Sequence, residues 1–243
     1  MRFCVLPFRW VLLLLILPTA ACKAKQPSAV DTATLIKQAQ SGDAKAQYEL
    51  GRDYDRGQGV TKDEAEAARW YRKAADQGHA KAQYDLGVDY AKGKGIPKDE
   101  AEAARWYRKA ADQGFAPAQS NLGVLYDDGD GVSQDYVQAA AWYRKAADQG
   151  FAAAQYGLGR CYYTGQGVPQ DYAEAYFWAD LAASGKTKYD WGGEEVEVEN
   201  GTPDYAAKMR DEAAALLNRE LLTKTQERAR KWFEAHTSPA KAQ

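Results

Sequence analysis

The chain has 243 residues, 45% of them hydrophobic and 27% charged, with a formal net charge of −2. That balance is normal for a folded soluble chain, room enough for one elongated domain or two small ones. It lacks the basic footprint of a nucleic-acid binder. The wealth of Ala, beside 16 Tyr and 7 Trp, leans towards an all-α array packed from small and aromatic residues.

The N-terminus reads as a targeting segment. Arg2 and Arg9 flank the approach to an unbroken apolar run at residues 11–17. The run is too short to span a bilayer, which needs roughly 20 residues, so residues 1–21 are expected to be a signal peptide. Without them the basic residues fall to 30 against 34 acidic, a net charge of −4. Thr19-Ala20-Ala21-Cys22 resembles the lipobox of bacterial lipoproteins, with Thr19 where Leu is usual. That resemblance implies acylation of Cys22. Lys23 is next in the chain, where an Asp would favour the inner membrane, so the implied location is the periplasm, on the outer membrane, with the lipid as the sole membrane attachment. Ordinary cleavage leaving a free Cys22 is the alternative. Cys4 lies in the leader, so Cys161 remains alone and the folded part has no internal disulfide to form. Residues 23–30 read as a tether. Residues 31–40, with Leu35, Ile36 and Ala39, suit a short helix that covers the chain from residue 42 onward; residues 22–41 together make the entry to the fold.

Internal repetition is the strongest signal. Gly42, Gly78, Gly114 and Gly150 are spaced 36 apart. Each precedes Ala-x-Ala-Gln, then Leu-Gly (Leu50-Gly51 in the first copy), then Tyr54, Tyr90, Tyr126 or Tyr162. In the first copy Ala46, Gln47, Leu50, Gly51 and Tyr54 fall on one stripe of a helix, A. Gly51 in mid-helix costs about 1 kcal/mol against Ala, and its return in every copy predicts close approach of a partner helix. A Gly-x-Gly turn comes next. A second helix, B, opens at Asp63 with Glu66 three residues on, and likewise at Asp99/Glu102, Asp135/Gln138 and Asp171/Glu174. This spacing predicts a reciprocal capping box. Ala67, Trp70, Tyr71, Ala74 and Ala75 form its apolar stripe, Arg72 and Lys73 suit its C-terminal dipole, and Gly78 ends it. The tryptophans recur at Trp106, Trp142 and Trp178.

These motifs resemble the Sel1-like repeat family, relatives of tetratricopeptide repeats, over four copies at residues 42–185. The fourth departs at Tyr176-Phe177-Trp178-Ala179-Asp180-Leu181, without the Arg-Lys pair. The resemblance implies an αα-hairpin solenoid, a right-handed superhelix. One hairpin cannot bury its own stripe, whereas stacked neighbours can.

Residues 186–243 leave the repeat. A polar insertion holds Tyr189, Trp191, Glu194 and Glu195, and its alternating Glu and Val with flanking glycines favours a loop or small hairpin. Residues 204–218 are expected to be helical, and Thr223 with Gln226 to cap a second helix bearing Ala229, Trp232 and Phe233. Both are expected to cap the array, with a frayed tail from residue 237.

Candidate chemistry is sparse. His79 fills a slot that holds Asp43, Phe115 and Phe151 in the other copies, and His236 lies in the tail. Gly185-Lys186-Thr187 imitates the end of a phosphate loop, but Asp180 stands where its first Gly belongs. Asp127, Asp128 and Asp130 share a turn whose Val132 breaks a calcium-loop pattern. No catalytic residue, metal or cofactor is expected. Some Sel1-like relatives are linked to penicillin binding or β-lactam hydrolysis, but those resemble disulfide-rich versions with a Cys pair in each repeat, which this chain lacks.

Positions that vary between copies are expected to face outward and to bind. On helix A they are Glu49, Arg52, Asp53 and Arg56, then Asp85, Val88, Asp89 and Lys92, then Val124, Leu125 and Asp128, and then Arg160. In αα-solenoids this is the concave side. The expected occupant is a protein, held by charged rims around an apolar centre at Val124 and Leu125. Tyr189, Trp191, Glu194 and Glu195 are the alternative site, able to dock a basic partner or fold back as a lid. Exported Sel1-like lipoproteins resemble immunity proteins against type VI secretion toxins such as lipases and phospholipases. They also resemble envelope or exopolysaccharide scaffolds and signalling regulators. The small size and four repeats put the single-target inhibitor first; nothing in the sequence fixes an oligomeric state.

Overall fold

The computed structural model describes residues 29–184, 188–191, 194–197 and 203–237. The leader, Cys22, the first part of the tether and the last six residues lie outside the described residues. So do the side chains of the insertion. The elements are α1 (Ala29–Gln40), then the A/B pairs α2 (Ala44–Arg56) and α3 (Glu64–Asp76), α4 (Ala80–Lys92) and α5 (Glu100–Asp112), α6 (Ala116–Asp128) and α7 (Tyr136–Asp148), α8 (Ala152–Thr164) and α9 (Tyr172–Ala183). A two-stranded antiparallel hairpin, β1 (Lys188–Trp191) and β2 (Glu194–Glu197), comes after α9. α10 (Pro203–Ala215) and α11 (Arg219–Thr237) complete the described chain. α1 begins two residues earlier than the sequence suggested, taking Ala29 and Val30 from the expected tether.

Each helix has a local cause. Asp43 opens α2 by accepting from the Ala46 N–H at 2.7 Å. His79 does the same for α4, its Nδ1 accepting from the Ala82 N–H at 3.2 Å, while its ring stacks on Tyr48. Phe115 and Phe151 in that slot make no side-chain cap and are buried instead. Helix B is capped by Asp63, Asp99, Asp135 and Asp171. The expected reciprocal half of the capping box does not form. The Asp63 N–H donates to the Tyr54 carbonyl instead, and Glu66 pairs with Arg69. The same substitution recurs at Asp99, Asp135 and Asp171, whose N–H groups go to Tyr90, Tyr126 and Tyr162. The tyrosine carbonyl, one of the unpaired acceptors that end helix A, is the better-placed partner. α11 also differs: Asn218 caps it, accepting from the Leu221 N–H at 2.9 Å, so it starts before Thr223.

Stacking uses three ladders with the period of the repeat. The buried Gln47, Gln83, Gln119 and Gln155 each donate to a carbonyl near the end of the preceding helix, at Ala39, Ala75, Ala111 and Ala147. Gln77, Gln113 and Gln149 then donate to Gln47, Gln83 and Gln119 at 2.7–2.8 Å. Because Gln47 reaches Ala39, α1 takes the place of a helix B ahead of the first repeat. In the third ladder Arg72, Arg108 and Arg144 donate to the hydroxyls of Tyr90, Tyr126 and Tyr162 one repeat on. Their guanidiniums also lie over Trp106, Trp142 and Trp178.

Within a hairpin, the helix-A glycine lets the helix-B tyrosine sit against the backbone. A Cβ on Gly87 would stand 2.7 Å from the Tyr107 ring, which is itself buried. Overpacking of this kind costs roughly 1–3 kcal/mol, and the helix-propensity gain of about 1 kcal/mol does not cover it where a ring must move. Gly87→Ala should therefore lower stability by up to about 2 kcal/mol in a denaturant titration; a variant more stable than the parent would refute this reading. The turn glycine Gly95, at φ +68°, is excluded from substitution for a second reason: its Cβ would overlap the Glu64 carbonyl of the preceding repeat.

The fourth repeat ends the stack by changing residues. Ala179 replaces the tyrosine, and the Met209 methyl of α10 comes up against Gly159 instead. Asp180 replaces the arginine, and Arg210 of α10 faces it at 3.6 Å. α11 adds Arg228, paired with Glu174 and over the Phe177 ring, and Gln226, donating to the Tyr176 hydroxyl at 3.3 Å.

Candidate functional site

Consecutive A helices touch along one face. Tyr48 of α2 donates its hydroxyl to Asp85 of α4. Asp55 of α2 pairs with Lys94 just beyond α4, and Asp127 of α6 with Arg160 of α8. This A-helix face forms the candidate site.

The structure sorts the expected binding residues into three groups. Arg56, Lys92, Val124 and Asp128 are exposed, and Glu49, Arg52, Asp53, Val88 and Arg160 are half-buried. These line the open face. Asp89 and Leu125, only 4% and 8% exposed, do not face outward as expected, and Cys161 in the same column is also buried. The reason is geometric. This column lies three residues from Leu50, one turn along the buried stripe, and a helix flanked on both sides in an array hides more than one stripe. The expected apolar centre thus contracts to Val124, at 42% exposure, and Val88.

Asp85 forms the third group, because its column serves the stack. Asp85 takes the Tyr48 hydroxyl, Asn121 hydrogen-bonds both Tyr84 and Tyr107, and at Gly157 the Tyr143 ring occupies the space a side chain would need. These variations answer to the tyrosines of the preceding repeat. Tyr189, Trp191, Glu194 and Glu195 lie on the hairpin, with Trp191 opposite Glu194 in register; their side chains are outside the described residues.

Sequence reasoning missed Asp55 and Lys94, and read Asp127 only as part of an acidic turn. All three lie off the stripe used to select variable positions, although Asp55, Ala91 and Asp127 do differ between copies. They matter electrostatically. Burial pushes the Asp85 carboxyl up to about 6, against the Tyr48 hydrogen bond and the charge of Arg52. Burial likewise pushes Asp89 up to about 7, against Lys94, with Asp85, Asp55 and Glu64 adding to the rise. A carboxyl whose folded pKa is raised stabilises the fold below its unfolded pKa of about 3.9, and that contribution is lost as pH rises through about 7. At neutral pH this gap therefore holds charge at a cost.

Other candidates recede. Burial pushes the Cys161 thiol up, the mark of an inert cysteine. Asp127, expected in a turn with Asp128 and Asp130, lies within α6 instead and is engaged by Arg160. A shallow cleft of about 640 Å³ opens between the second and third repeats, lined by Leu122, Val132 and two residues of the stacking ladder, Trp106 and Arg108. Among the described residues no group of three His, Cys, Asp or Glu side chains could hold a metal ion, and no helix is long and apolar enough to cross a membrane.

The architecture is a solenoid of αα-hairpins with a helix cap at each end, a class whose fold generally serves as a protein-interaction scaffold. The chain belongs to the Sel1 repeat family, whose model matches residues 44–79, 80–115, 116–151 and 152–186. Among solved structures it is similar to a Sel1 repeat protein from Oxalobacter formigenes, at 33% identity over 88% of this chain and 78% of that one, with a TM-score of 0.64. It is also similar to c5321, a protective antigen of uropathogenic Escherichia coli displaying an SLR fold. That match has 44% identity and a TM-score of 0.62, and covers 64% of this chain. The chain spans about a third (33%) of the length of that protein. No curated protein matches the sequence.

Proposed function

We propose that this chain is a non-enzymatic binding protein that captures a protein partner along its A-helix face. The observation that carries the reading is the pairing of openness with variation. Arg52 and Arg56, Val88 and Lys92, Val124 and Asp128, and Arg160 and Thr164 line the open strip and change from copy to copy, while the columns of Gln47, Tyr54 and Trp70 stay fixed in all four copies. Charged residues at both ends of a short apolar stretch suit recognition of a folded protein.

The finer reading is an immunity or inhibitor protein, held to the outer membrane through Cys22 and facing the periplasm, that neutralises a secreted lipase or phospholipase toxin. It is supported by the resemblance of short exported Sel1-like lipoproteins to such inhibitors and by the lipobox-like leader. The test is capture from envelope extract with Arg52→Glu and Arg56→Glu combined. Reversing two charges on one rim should weaken capture by about tenfold or more. Unchanged capture would move the interface to the B-helix side or the hairpin, and a partner with no toxin or lipase activity would overturn the immunity reading.

A further inference from the structure

The three gaps between successive A helices are built to one plan and filled differently. The residue pair that meets across each gap is Asp127 and Arg160 in the third, an acid matched by an internal guanidinium. In the second gap the equivalent positions hold Ala91 and Val124, both apolar. In the first they hold Asp55 and Val88: the acid is present and its guanidinium is missing.

The first gap also gathers more acid than the stack requires. Asp55, Asp85, Asp89 and Glu64 act on one another there, with Lys94 as a cation among them and Arg52 acting on Asp85 from the rim. Lys94 is engaged by Asp55, Asp85 takes the Tyr48 hydroxyl, and Arg52 at the rim is tied to Glu49 at 2.9 Å. Asp89 is 4% exposed, and among the described residues no hydrogen bond reaches its carboxylate. The other gaps show that architecture asks for no carboxylate here, since Leu125 and Cys161 fill the column and are buried. A buried acid that costs stability where Leu or Cys would serve is the signature of a site kept for binding.

We propose that the first gap clasps an arginine side chain of the protein partner, standing where Arg160 stands in the third gap. A guanidinium offers a planar fork that a carboxylate accepts in two parallel hydrogen bonds, and Asp85 and Asp89 supply the negative charge that Lys94 leaves uncompensated. The clasp rests on the reading of the A-helix face as the partner surface, and names what that surface recognises.

The test uses the mature full-length protein and two small probes, N-acetyl-arginine amide and its uncharged citrulline counterpart. The arginine probe should shift the carboxyl carbon resonances of Asp85 and Asp89 saturably and lower their titration midpoints, and the citrulline probe should do neither. Asp89→Asn keeps the shape while removing the buried charge, so it should fold at least as well at neutral pH and lose the response. Val88→Arg should fill the gap from within and block the probe. Equal responses to both probes, or a full response in Asp89→Asn, would discard the clasp. The two readings fail separately. Capture lost in Arg52→Glu/Arg56→Glu but retained in both Asp89→Asn and Val88→Arg would sink the clasp alone. An arginine response in a protein whose capture ignores the rim reversal would sink the wider face, and with it the partner as the source of the arginine, leaving only a gap that binds a guanidinium.

Discussion

Trp106→Ala should lower stability by about 3–5 kcal/mol, the range for removing a large buried aromatic. The ring is 4% exposed and lies between two cations, Arg72 of the preceding repeat and Lys109 of its own helix, the latter 3.7 Å from the ring centre. Its loss empties a volume at the junction of two repeats and strips a ring face from Arg72, which then keeps only Tyr90. Two controls separate this account from a generic core defect. The indole N–H of Trp106 has no hydrogen-bond partner among the described residues, so Trp106→Phe forfeits no polar contact there and should recover more than half of the loss. Trp70 in the first repeat is half-buried, and among the described residues no arginine reaches it from α1, which carries Ile36 at the equivalent position, so Trp70→Ala should cost visibly less. Equal losses at Trp70 and Trp106 in denaturant titrations would count against this stacking register.

Met209→Ala is the second large effect, expected at roughly 2–4 kcal/mol, and its location is as diagnostic as its size. Met209 is 8% exposed and stands against Gly159, where Tyr71, Tyr107 and Tyr143 stand in the earlier copies. In an array held by nearest-neighbour interfaces, damage at one end loosens that end first. Native-state hydrogen exchange should therefore show faster exchange in α8, α9 and α10, with α3 to α5 near parent rates. Uniform acceleration along the chain would mean that the stack opens as one cooperative body and that α10 is more than a terminal cap.

How far the fold was legible depended on which neighbours each residue answers to. The stripe of Ala46, Leu50 and Tyr54 and the recurring Trp were readable because a 36-residue period repeats their surroundings along with their identities. The capping box was half right: Asp63 needs only its own helix, but Glu66 lost the reciprocal position to a carbonyl supplied by helix A. The outward set failed at Asp89 and Leu125 because variation between copies was taken as exposure. Asp85, Asn121 and Gly157 vary for another reason, the fit of tyrosines one unit upstream. Asp55 and Lys94 could have been found by comparing pairs of positions across copies instead of single columns. The start of α11 was misplaced because Asn218, a good cap in its own right, stood ahead of the Thr223–Gln226 pair.

The change from arginine to Asp180, answered by Arg210, bears on how such a chain lengthens by gene duplication. A unit copied from the interior arrives with an arginine for the tyrosine ahead and a tyrosine for the arginine behind, so it can be spliced between existing units. A copy of the last unit would set Asp180 beneath a tyrosine hydroxyl and strand its ring-sized hollow at Gly159 without the methionine. Growth is thereby confined to the middle of the molecule, while both ends keep their stoppers.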